Sequence, residues 1–153
     1  MLDRAAPKGF FSKALELFGA EALVTTVYPG TFRGDGEFRL RDAEYRIRAE
    51  GTVRKDYELF RGDEGIAEAS NASLVGAAWK IESDSVRGEL KRDLVATRGF
   101  SLVSEAEILG TLKPAAPVLR TALLEFSPIV PEDLQIFFAW MVTRQWRGST
   151  RFL

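Results

Sequence analysis

From about Leu23 to Phe126 apolar and polar residues alternate with a period of two. Phe38 and Leu40 alternate with Arg39 and Arg41, and Tyr45, Ile47 and Ala49 alternate with Glu44, Arg46, Arg48 and Glu50. Tyr57 and Leu59 flank Glu58, Trp79 and Ile81 alternate with Lys80 and Glu82, and Phe100 and Leu102 flank Ser101. Such alternation describes strands with one dry face and one wet face. Turn signals fall between the runs at Asp35-Gly36, Gly62-Asp63-Glu64-Gly65, Ser70-Asn71 and Ser83-Asp84. Proline is absent between Thr31 and Lys113, as strand interiors require. Many short strands without intervening helices predict an antiparallel barrel or sandwich. Ahead of them, Phe11, Ala14, Leu15 and Phe18 stand at helical spacing, so Phe10–Phe18 reads as either a short helix or an irregular lead-in.

A faint repeat runs through the strands. Tyr57, Leu59, Ile66, Ala67 and Ala69 match Phe100, Leu102, Leu109, Gly110 and Leu112 at one constant offset. Each copy is an aromatic-x-Leu strand, a turn, an apolar–small pair and a further apolar residue. Duplication and the general likeness of hairpins explain it equally well.

The period then changes. Pro128 and Pro131 end the last strand, and Pro131 suits the first turn of a helix, where its missing N–H costs nothing. Glu132 and Asp133 in the first turn and Arg144 and Arg147 near the other end complement the helix dipole. The pattern predicts a helix from Pro131 to about Trp146. Leu134, Phe137, Phe138 and Met141 form one stripe, and Ile136, Ala139, Trp140 and Val142 occupy the rest of the circumference. Gln135 is the one polar residue between Leu134 and Val142.

A helix apolar on every side must be buried on every side. This run is roughly half the twenty residues or so that a bilayer requires, so protein must surround it. No second strong helix is legible, which leaves the strands. A sandwich has no room, because packed sheets sit only about 10 Å apart. A closed barrel has room if roughly ten strands, about 4.8 Å apart and tilted about 40°, encircle the helix. The expected fold is therefore mainly β: one domain over residues 1–153, a closed antiparallel barrel of about ten or more strands around a central hydrophobic C-terminal helix. Leu134, Ile136, Phe137, Phe138, Trp140, Met141 and Val142 are its predicted core.

Composition adds exclusions. The chain has 153 residues, long enough for a core without staples, with 46% hydrophobic and 28% charged residues. A net charge of −1 supplies no global attraction to nucleic acid or anionic membrane. With no cysteine and no histidine, disulfides, thiolate chemistry, the usual neutral-pH base and the commonest zinc ligand are all missing. Neither a cofactor nor a metal is expected. Lys13 and Glu16 interrupt any signal-peptide core, so the expected location is cytoplasmic, at most peripheral to a membrane.

The segments YELFRGDEGIAEA, AWKIES, FSLVSEAEILGTLKP and PEDLQIFFAWMVTRQW resemble the tubby-like superfamily, which includes the tubby C-terminal domain, phospholipid scramblases and the LURP-one-related proteins. They cover roughly the C-terminal two thirds of the chain, and the likeness is one of pattern. The resemblance implies a helix-filled barrel and a non-catalytic binding or scaffold role, with anionic phospholipid or a protein as partner. Tubby domains bind phosphoinositide head groups through surface lysine and arginine. This chain matches no tubby head-group motif residue by residue, and it lacks the calcium-binding acidic stretch of scramblases.

The best candidate surface is an arginine ladder, Arg39, Arg41, Arg46 and Arg48, with Arg54 and Lys55 beyond. Guanidinium groups on neighbouring strands suit phosphate. Asp35, Glu37, Asp42, Glu44, Glu50 and Asp56 are interleaved, however, and cross-strand charge pairing on a wet face explains the ladder without a ligand. Glu82, Asp84 and Glu89 fit no calcium-loop spacing. Arg61-Gly62-Asp63 reads as a hairpin tip, Asn71-Ala72-Ser73 as a glycosylation site only in a secreted chain, and Trp79, Trp140 and Trp146 as core or helix-end aromatics. The alternative to a binding domain is an enzyme using carboxylates in a barrel-mouth pocket. An oligomer in which the tail helix enters a partner's barrel is a further arrangement the pattern permits.

Overall fold

A computed structural model describes residues 1–9, 13–51, 55–72, 78–93, 98–115 and 121–149. Among the described residues twelve strands precede one helix. They are β1 (Arg4–Pro7), β2 (Leu15–Gly19), β3 (Ala22–Pro29), β4 (Gly36–Leu40), β5 (Ala43–Glu50) and β6 (Asp56–Arg61). There follow β7 (Glu64–Asn71), β8 (Ala78–Ser83), β9 (Arg87–Arg92), β10 (Phe100–Ser104), β11 (Glu107–Pro114) and β12 (Ala122–Phe126), then α1 (Glu132–Ser149). Each strand pairs antiparallel with its neighbour in sequence, and β1 closes the ring against β12 through Arg4↔Leu123 and Ala5↔Ala122. The alternation from Leu23 onward therefore marks real strands, but the ring begins earlier. Leu15–Gly19 is strand β2, with Leu15 and Leu17 inward, and not the helix that its spacing also allowed; Phe11 lies outside the described residues. In so short a segment the two periods share positions, and pairing with β1 and β3 decides between them.

The barrel is filled by α1. Every residue from Leu134 to Thr143 is buried, and Ile136 through Val142 are 0% exposed. Contacts leave the helix in several directions. Phe138 packs on Phe126 of β12, Asp133 accepts a hydrogen bond from the Tyr45 hydroxyl of β5, and the Trp140 ring lies against Gly36 of β4. A ring of eight strands has room for its own side chains or one small ligand; a ring of twelve leaves space for a helix. The helix extends past its expected end at Trp146 to Ser149. Gln135 is explained by its partners: its Oε1 accepts from the Leu2 N–H at 3.2 Å and its Nε2 donates to the Val130 carbonyl at 2.9 Å. A buried amide is tolerated because both ends are bonded.

The sequence repeat is a repeat of register. Tyr57 faces Ala69 and Leu59 faces Ala67, while Phe100 faces Leu112 and Leu102 faces Gly110. Both hairpins shift register just after the leucine. The β2–β3 hairpin does the same, with Leu15 facing Val27, Leu17 facing Thr25 and a shift after Leu17. Each shift leaves one apolar residue without an opposite number: Val24, Ile66 and Leu109. Val24 and Ile66 pack against the core from half-buried positions and Leu109 is buried. A bulge thus turns an extra apolar side chain toward the same end of the helix three times around the ring.

The turns depart from the expected chemistry. Gly62-Asp63 and Ser83-Asp84 do mark turns, but Gly36 opens β4 and Ser70-Asn71 ends β7. Ala20-Glu21 and Glu105-Ala106 form two-residue turns with φ of 50°, 65°, 50° and 67°, where Asn-Gly would be expected. Side chains in this left-handed region cost about 1–2 kcal/mol each. Glu105→Asn combined with Ala106→Gly is therefore expected to raise stability by about 1 kcal/mol, seen as a rise of about 2–4 °C in Tm. No rise would place the strain elsewhere.

Candidate functional site

The arginine ladder sits on the outer wall of β4 and β5. Arg39, Arg46 and Arg48 project outward on paired strands, and Arg41 occupies the β4–β5 turn with φ 49°. Two of them are already engaged. Arg39 Nη2 meets Glu44 Oε1 at 2.5 Å, with both side chains more than 70% exposed, and Arg48 Nη2 meets Glu50 Oε1 at 2.7 Å. Arg46 stands opposite Glu37 and lies over the Phe60 ring at 5.1 Å. Exposed pairs of this kind are worth about 0–1 kcal/mol, so a phosphate could displace them, but they bring no surplus positive charge. Arg54 lies outside the described residues. Lys55 belongs to the opposite end of the barrel from Arg41, so the six cations do not form one surface.

The other candidates disperse. Glu82 meets Lys80 at 3.6 Å and Arg87 at 3.7 Å, and Glu89 stands opposite Lys80. Among the described residues no group of three or more acidic side chains is gathered as a cation would need. Arg61-Gly62-Asp63 is the β6–β7 turn, with Gly62 at φ 59°. Asn71 ends β7 and its N–H bonds Asp56 Oδ1, whereas Ser73 lies outside the described residues. Among the described residues no helix is long and apolar enough to cross a membrane.

The meander separates two kinds of connection. The turns β2–β3, β4–β5, β6–β7, β8–β9 and β10–β11 are tight and share the end where α1 begins. The connections β1–β2, β3–β4, β5–β6, β7–β8, β9–β10 and β11–β12 are longer and share the end where α1 finishes. Three tryptophans hold this loop end. Trp140 Nε1 donates to Gly34 O at 2.8 Å, Trp79 Nε1 to Lys55 O at 2.8 Å and Trp146 Nε1 to Arg98 O at 2.6 Å. Their rings are buried, as expected of core or helix-end aromatics, and their N–H groups fix the backbones of three different loops.

The same fixation gathers cations. Lys55 Nζ donates to Arg33 O at 2.6 Å, and its pKa is lowered by partial burial first and by the nearby Arg33 charge second, against the opposing pull of Asp35. The Arg144 guanidinium stacks on Trp140, 4.0 Å from the ring centroid. Burial pushes the Tyr57 hydroxyl up to about 12, with the Arg144 charge opposing that rise. Arg33, Lys55 and Arg144 are far apart in sequence, and no spacing rule connects them. Lys55 lies beside Arg33, and the loop bearing Arg33 and the Arg144 guanidinium both rest on Trp140. Comparison of the chain with family models, with curated proteins and with solved structures finds no match.

Proposed function

We propose that this chain is a non-catalytic binding or scaffold domain of tubby-like type, which meets an anionic lipid head group or a protein partner on the outside of its barrel. One observation carries the reading: the barrel interior is occupied by the chain's own helix, with Ile136 through Val142 sealed from solvent. A β-barrel that holds a small ligand keeps its centre open for it. Here recognition falls to the outer wall and the rims. Work at the cytoplasmic membrane periphery fits this arrangement.

Co-sedimentation with vesicles of phosphatidylcholine, with and without phosphatidylserine, tests the lipid form of the reading. Binding to the anionic vesicles at low salt, falling as salt is added, is the expected result. Failure to bind at low salt removes lipid and leaves a protein partner.

A further inference from the structure

The net charge of −1 conceals a polar molecule. Every tight turn at the end where α1 begins carries a carboxylate: Glu21, Asp42, Asp63, Asp84 and Glu105. Glu132 and Asp133 open the helix beside them, Glu132 facing the Met1 ammonium at 3.7 Å, and Arg41 is the cation within those turns, with Arg61 and Arg87 at the strand ends next to them. The loop end has the opposite sign. Lys8, Lys13, Arg33, Lys55 and Arg98 lie in its connections, and Arg144 and Arg147 in the last turns of the helix. Its carboxylates are fewer, and each is engaged by a neighbour. Asp35 accepts from Ala49 N, Asp93 from Ser101 Oγ and Asp56 from Asn71 N, while Glu50 meets Arg48.

At the same end stands Phe32, 73% exposed. It caps a short loop that is closed by Gly30 N to Asp35 O and Asp35 N to Phe32 O, and tied down by Trp140 and Lys55 through the Gly34 and Arg33 carbonyls. An aromatic ring held out to water on an anchored loop, beside Arg33, is the arrangement of an interfacial anchor: the ring suits the head-group boundary and the cations suit the negative surface.

Resting on the lipid reading above, we infer that the barrel docks end-on to an anionic phospholipid bilayer, with the loop end toward the membrane, Phe32 in the interface, and the acidic turn end directed away. Charge complementarity selects the surface, and the opposed acidic end fixes the orientation. A chain with no cysteine makes the orientation directly measurable.

Phe32→Cys and Asp63→Cys, each labelled with an environment-sensitive fluorophore, are mixed with phosphatidylcholine vesicles with and without phosphatidylserine. The label at position 32 is expected to shift to the blue on anionic vesicles, and the label at 63 to stay as in water. In parallel, K13E/R33E and R41E/R46E change the net charge equally at the loop end and at the ladder. Both pairs are exposed, and an unchanged melting transition verifies the fold. The loop-end pair is expected to lose at least about tenfold in vesicle partitioning, and the ladder pair less than about twofold. Equal losses, loss from the ladder pair alone, or a blue shift at position 63 overturn the end-on docking while leaving lipid binding in place. Absence of wild-type binding to either vesicle overturns both. Equal binding to vesicles without phosphatidylserine overturns the role of charge.

Discussion

Deletion of residues 131–153 is expected to leave a chain without a cooperative unfolding transition, recovered largely as aggregate. The deleted segment holds Leu134, Ile136, Phe137, Phe138, Trp140, Met141 and Val142, all 2% exposed or less. At about 1.5–3 kcal/mol for each large side chain, their gross burial is roughly 10–20 kcal/mol, as large as the whole net stability of a domain. The loss is not limited to the helix. The inward residues of all twelve strands would face an empty centre, and a ring this wide cannot collapse onto itself without breaking its pairing. Far-UV circular dichroism and calorimetry on the truncated chain provide the check. A sharp melting transition with retained β signal would mean that the ring stands alone and that the helix is an accessory.

Trp140→Ala is expected to cost about 3–5 kcal/mol, the largest effect of any single truncation in the helix. The indole is 0% exposed and lies so close to β4 that a Cβ at Gly36 would sit 3.0 Å from its Cε2. That wall cannot move in to close the gap, because Gly36 pairs with Ile47 and Pro29 on either side. The substitution also strips the Gly34 carbonyl of its donor and Arg144 of the ring beneath it. Trp140→Phe separates these contributions: it keeps most of the volume and is expected to cost about 1–3 kcal/mol for the lost hydrogen bond. Urea midpoints give both values. Hydrogen exchange of Gly30 and Asp35, whose N–H groups close the Phe32 loop, reports whether that loop is released. An alanine variant within about 1 kcal/mol of wild type would show that the barrel repacks freely there.

Trp140 belongs to the packed centre and also holds the loop that presents Phe32 and Arg33. Loss of the ring should therefore weaken end-on docking even where the fold survives.

The amount legible from residue order varied from feature to feature. The closed barrel and its central helix followed from two local patterns: alternation from Leu23 to Phe126, and an apolar circumference from Leu134 to Val142. A run too short for a bilayer and too greasy for the surface has few places to go. Strands β1 and β2 were hidden, because RAAP hardly alternates and LELFG fits two periods. The turns at Ala20-Glu21, Arg41-Asp42 and Glu105-Ala106 were hidden for a different reason. They carry no glycine or asparagine, and their left-handed residues are held there by the strands on either side. The arginine ladder was readable as a set of outward residues. Its neutralisation by Glu44 and Glu50 depends on register and rotamer, which no pattern specifies.

By itself the sequence determined which face is dry in the strands that alternate cleanly and which segment must be enclosed, because the period of the apolar residues marks the side that leaves water. Only the tertiary structure decided which end of the barrel each charge occupies. Lys13, Arg33, Lys55, Arg98 and Arg144 are scattered among acids along the chain, and an up-and-down meander sends alternate connections to opposite ends. Electrostatic fields add over positions in space, so a nearly neutral sequence folds into a molecule with a basic end and an acidic end.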